Sequence, residues 1–115
     1  MAQERLIDLN LLRPFVGDDK TMQRQLLLAF EKELRAFQES MADAEVNKNL
    51  EAVRKSFHRI SPSLKMLHQQ QLINLAENYK QLLLTPETDD SDLAVHQQLI
   101  GTHTAELLLE IKTYL

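Results

Sequence analysis

From Leu50 to Leu67 the apolar residues Leu50, Val53, Phe57, Ile60, Leu64 and Leu67 follow one another at spacings of 3, 4, 3, 4 and 3. That spacing is the buried stripe of one amphipathic α-helix. A second stripe, Met22, Leu26, Phe30, Leu34, Phe37 and Met41, predicts a long helix from Lys20 to Glu45. Asp18 and Asp19 precede it and offer carboxylates to its N-terminus. Leu72, Leu75, Ala76, Tyr79, Leu82 and Leu83 predict another helix. Leu99, Ile100, Leu107, Leu108 and Ile111 point inward from a last one, expected from Asp92 to Tyr114. Between these lie a break at Asn47 to Asn49, a polar hinge at His68 to Gln71 and a loop from Thr85 to Ser91. Upstream, Asp8 can cap a short helix over Leu9 to Leu12, with Leu6 and Ile7 as apolar anchors. Pro14 and Gly17 are expected to interrupt the helical pattern there.

This pattern predicts an all-α domain covering residues 1–115 of the chain. Four long helices with short links imply an antiparallel up-down four-helix bundle with an extra short N-terminal helix. Hydrophobic residues make up 43% of the chain, enough for one core. With 2 glycines and 3 prolines there is little turn chemistry, and no segment alternates with period 2. Charge narrows the partners. A net charge of −4, with no basic run interleaved with aromatics, argues against nucleic acid. No apolar run approaches membrane-spanning length. The opening Met1-Ala2-Gln3-Glu4-Arg5 has no signal-peptide pattern, and the chain has no cysteine. A cytoplasmic location and a monomer fit these features.

His58 is the residue that packing does not explain. It falls about 130° from the centre of the Leu50–Leu67 stripe and should stand in solvent. Arg54, Lys55, Arg59 and Lys65 surround it with cations in a chain that is acidic overall. A solvated helix face would account for those cations were the histidine absent. With it, they suit an imidazole that accepts and holds a negative group, stabilised by charge-assisted hydrogen bonds. Pro62 lies four residues on, where it cannot donate to the His58 carbonyl and its ring crowds it. A new helix capped by Ser61 with Pro62 at its first position is the alternative. The unbroken stripe favours a continuous helix instead. In that helix Ser61 and Pro62 leave only short side chains beside the imidazole, open to a partner surface.

Other chemistries are poorly represented. There is no Gly-rich phosphate loop, and Ser61 and Ser63 lack an oxyanion-hole motif. His96 and His103 share a helical face but stand about 10 Å apart, too far for one zinc. His103 reads as a hydrogen-bonded residue at the edge of the apolar stripe. His68 reads as a helix C-terminal residue, where an imidazolium favours the dipole. No metal ligand set and no cofactor is expected in this chain.

The chain resembles a histidine-containing phosphotransfer (HPt) domain of multistep two-component phosphorelays, over nearly its whole length. Ile7-Asp8-Leu9, then Gly17-Asp18-Asp19, then Leu26-Leu27-Leu28-Ala29-Phe30 are similar to the usual opening of that family. The family's core motif is a His, any residue, an aliphatic, a lysine, a glycine and then small residues. Here His58 and Ile60 match it. Ser61 stands where lysine is usual, Pro62 where glycine is usual, and His68 at a position often held by glycine.

The resemblance implies a phosphorelay intermediate. His58 would accept a phosphoryl group from a receiver-domain aspartate, expected on Nε2, and pass it to another receiver. Arg54, Lys55, Arg59, Ser61, Pro62 and Lys65 would stabilise that group or dock the partner, with Lys65 supplying the charge of the missing lysine. The implied partners are response-regulator receiver domains and a hybrid sensor histidine kinase. Mg²⁺ is expected on the receiver, and no kinase activity or ATP site in this chain. A second reading is a docking-only adaptor that binds a receiver or kinase without carrying phosphate; Ser61 and Pro62 favour it. A third is a structural bundle that self-associates through the leucine triplets at 26–28, 82–84 and 107–109.

Overall fold

The structure is a computed structural model that describes residues 5–47 and 49–115, with only the backbone given for 44 and 45. Residues 1–4, part of the opening stretch read above for a signal peptide, and Lys48, within the expected break, lie outside the described residues. The described chain is all-helical and contains no strand. After a 3₁₀ turn at Leu9–Leu12 come α1 (Arg13–Val16), α2 (Lys20–Asn47), α3 (Leu50–Met66), α4 (Gln70–Leu84) and α5 (Asp90–Tyr114).

Helix starts follow local chemistry. The Asp8 carboxylate accepts from the Asn10 N–H, and Asp19 accepts from Thr21 and Met22 at 3.0 and 3.1 Å. Asn49 caps α3 through Ala52, and Asp89 caps α5 through Ser91. Each satisfies an N–H that the first turn leaves without a partner. Pro14 does not interrupt the helical path. It sits in the first turn of α1, where its missing N–H costs nothing. Gly17 ends α1 with φ 59, a conformation that glycine adopts without strain.

The long helices pack in a closed circuit: α2 against α3, α3 against α4, α4 against α5, and α5 back against α2. The core between them holds Phe30, Leu34 and Phe37 from α2, with Val53, Phe57, Ile60 and Leu64 from α3. From α4 come Leu72, Ala76 and Tyr79, and from α5 Ile100, Leu107 and Ile111. Tyr79 is wholly buried, and its hydroxyl accepts from Gln97 at 2.7 Å.

Two expected core residues face outward. Met22 and Leu99 are 48% and 47% exposed. Successive i+4 steps drift about 40° each, so Met22 lags the α2 core face by roughly 100°. Leu27 and Leu26, not Met22, fill that end of the stripe. Leu99 lies about 100° before Ile100, which takes the inward position. Ile73, absent from the expected stripe of α4, is buried.

The expected hinge at His68 to Gln71 is shorter and more built. Gln69 N–H donates to Leu64 O at 2.8 Å and His68 N–H to Lys65 O at 3.1 Å, closing a Schellman motif at the end of α3. His68 holds its left-handed position at φ 54, and α4 resumes at Gln70. Gln69 is 5% exposed, not a solvated hinge residue. Its amide nitrogen donates to Leu6 O and Leu67 O at 2.7 and 2.9 Å. Both Glu110 carboxylate oxygens also accept from this N-terminal segment, from Leu6 and Ile7 N–H at 2.7 and 2.6 Å. The segment is thereby tied to α5 and to the α3–α4 turn, with Ile7 and Leu12 buried against the core.

A non-glycine residue in the left-handed region costs about 1–2 kcal/mol. His68→Gly relieves that strain and should raise unfolding stability by about 0.5–1 kcal/mol after the extra chain entropy of glycine. Urea titration checks it: the midpoint should rise with the slope unchanged.

Candidate functional site

α3 sets the site. Its stripe turns Val53, Phe57, Ile60 and Leu64 into the core, all under 7% exposed. The opposite side, with Arg54, Lys55, His58, Arg59, Pro62 and Lys65, is exposed. α3 runs unbroken through Pro62, so no second helix starts at Ser61. Pro62 has no N–H for the His58 carbonyl, and its compact ring lies one turn after His58 on the outer face.

His58 lines an open depression between α3 and α4 together with Arg54, Lys55, Ser61 and Phe57 of its own helix. Across it stand Glu77 and Lys80 of α4, with Glu51 at the N-terminal rim. Arg59 lies over the other edge of α3. It lines a separate depression against α2, shared with Lys55, Ser56 and Glu33. Pro62 and Lys65 line neither; Lys65 stands about 10 Å along the helix axis from His58. The structure therefore brings Arg54, Lys55 and Ser61 together with His58, and places Arg59, Pro62 and Lys65 around it on the exposed face.

Carboxylates offset two of the three cations of the depression. Arg54 pairs with Glu51 at 3.9 Å, with both side chains largely in solvent. Lys80 pairs with Glu77 at 3.2 Å, and its side chain is only 22% exposed. The Lys80 ammonium also sits 4.8 Å from the centroid of the Phe57 ring. A cation on an aromatic face gains about 0.5–1 kcal/mol, more when desolvated. Lys80 is thus the most firmly placed cation beside His58, and it comes from α4. The sequence shows its i,i+3 relation to Glu77. That relation does not say which side of α4 meets α3. On the α2 side of α3, buried Ser63 donates its hydroxyl to Glu33, pinning the two helices together.

The remaining histidines have structural roles. His68 holds the left-handed position just after the end of α3. His96 Nδ1 lies 3.0 Å from Asp92 O within α5. His103 is 8% exposed, with Nε2 3.3 Å from Gln69 Oε1. Because the Gln69 amide nitrogen already donates twice, its oxygen must accept, so His103 carries its proton on Nε2. No group of three or more metal-ligating side chains occurs among the described residues. Nor is any helix among them long and apolar enough to cross a membrane.

No family model, curated protein or solved structure matches this chain.

Burial pushes the His103 imidazole below its ordinary value of 6.5, with the Glu106 charge opposing in part. The unfolded chain therefore binds the proton more tightly than the folded one. His103 contributes stability above about pH 6.5 that is lost as pH falls toward its lower folded value. Between about pH 7 and pH 5 the wild type should lose more stability than His103→Gln. Parallel urea midpoints for the two proteins across that range would contradict this.

Proposed function

We propose that this chain is a phosphorelay intermediate, an HPt-like domain that carries a phosphoryl group on His58 between receiver-domain aspartates. The observation that carries the reading is the exposed imidazole on α3, in a depression whose cations come from two helices. The circuit of four packed helices, joined in sequence by short links, fits an antiparallel up-down bundle with its N-terminal segment laid across one end.

In this reading the chain supplies a nucleophile, a place for the partner to dock, and positive charge. The lone pair on Nε2 of a neutral His58 forms the N–P bond. The bond from phosphorus to the receiver's aspartyl oxygen breaks, and the carboxylate leaves with the electron pair. Nδ1 keeps its proton, and no other proton moves. Such a transition state has charge spread over the phosphoryl oxygens, so positioning and electrostatics are the main demands on the protein. Arg54, Lys55 and Lys80 answer the second. The low profile of Ser61 and Pro62 lets a receiver surface approach the ring, and Arg59 and Lys65 extend the cationic rim toward it. Mg²⁺ belongs to the receiver in this scheme. The partners are receiver domains and a hybrid sensor histidine kinase, the setting is the cytoplasm, and the working unit is a monomer.

A docking-only adaptor is the second reading, favoured by Ser61 in the place beside His58 where a lysine is usual. Incubation with a phosphorylated receiver and Mg²⁺ separates the two. Wild type should gain an acid-labile, alkali-stable label, and His58→Gln should lose at least about a hundredfold of it while keeping receiver affinity. Receiver binding with no label on the wild type would select the adaptor.

A further inference from the structure

We propose that Lys80 is a switchable cation for the phosphoryl group on His58: paired with Glu77 at rest, it transfers its ammonium to the phosphoryl oxygens once the ring is loaded. This deepens the phosphotransfer reading and rests on it.

Three observations meet at this residue. Lys80 lines the same depression as His58, although it belongs to a different helix. Its ammonium sits over the face of the Phe57 ring, next to His58 in the chain, 4.8 Å from the ring centroid. Its ion-pair partner is the more exposed member of the pair, at 49% against 22%, so Glu77 can return to water without moving the helices. Arg54, by comparison, has a side chain 63% exposed and a longer contact to Glu51. An unloaded site with free cations on a ring that must stay open would attract solution anions. Glu77 and Glu51 occupy two of its three cations instead. A phosphoryl group brings close to two negative charges and three acceptor oxygens, against one charge for Glu77, so it outcompetes the carboxylate for the ammonium. Lysine suits this task because its charge sits at the end of four rotatable bonds. Lys65 lacks any comparable anchor near the ring.

Phosphoramidate tests this without a receiver. The lone pair of the His58 ring nitrogen forms the N–P bond while the phosphorus–ammonia bond breaks. Ammonia leaves with that electron pair and its three hydrogens, so no proton is transferred. The full chain, with lysines carrying ¹³C-dimethyl labels, is followed by ³¹P and ¹³C NMR, and the Lys80 signal is assigned by its absence in Lys80→Arg. On phosphorylation the Lys80 methyl signal should move, and it should return on hydrolysis. Lys80→Gln should slow uptake by about tenfold, Lys80→Arg should recover most of the rate, and Glu77→Gln should speed it. A labelled wild type whose Lys80 signal does not move, or a Lys80→Gln protein that loads at the wild-type rate, overturns the role of Lys80 and leaves His58 as carrier. A wild type that gains no phosphohistidine from phosphoramidate or from any receiver overturns both readings.

Discussion

Everything at the candidate site depends on the rotation of α3 about its own axis, and one constraint fixes that rotation. Val53, Phe57, Ile60 and Leu64 must lie against the core, since exposing any one of these side chains forfeits about 1.5–3 kcal/mol. Once they are inside, His58 has no choice of side. Pro62 is compatible with the same constraint because it lies on the exposed face, where its ring meets solvent and not a neighbouring helix. The missing hydrogen bond weakens one turn. Burial of Phe57, Ile60 and Leu64 on either side holds that turn in line.

The end of the molecule near the α3–α4 turn is organised by polar groups. Gln69 spends its amide nitrogen on Leu6 O and Leu67 O and its oxygen on His103, so one side chain joins the N-terminal segment, the turn and α5. Glu110 closes the same segment from α5. Removing one partner from such a set leaves a buried group unsatisfied, which costs more than the bond itself contributes. The strain at His68 is tolerated because the Schellman bonds and buried Gln69 determine the backbone there from both sides.

At His58 the positive charge is partly offset by carboxylates. Two of the three cations of the depression have a carboxylate one turn away, Glu51 for Arg54 and Glu77 for Lys80. Pairs that remain in contact with solvent, as these do, contribute little to stability. Their consequence is chemical: the charge is available to an incoming anion in proportion to how easily the resident carboxylate is displaced.

The apolar periodicity was enough to establish that α2, α3, α4 and α5 exist, where they begin and end to within about two residues, and that His58 points away from the core. These are properties of single helices, and local chemistry determines them: the 3.6-residue repeat, the caps at Asp19 and Asn49, the loop before α5. The identity of the exposed cations on α3 was legible for the same reason. Met22, Leu99 and Ile73 were misplaced because a stripe names a face only to within its own drift, and the neighbouring helices decide where that face ends. Gln69 looked like a surface residue because nothing in its local pattern announces Leu6, Leu67 and His103 as partners. Lys80 was missed for a similar reason. Its place beside His58 depends on how α4 is rotated and shifted against α3. Only packing decides that relation, because residues from two helices meet there and no spacing along one chain records it.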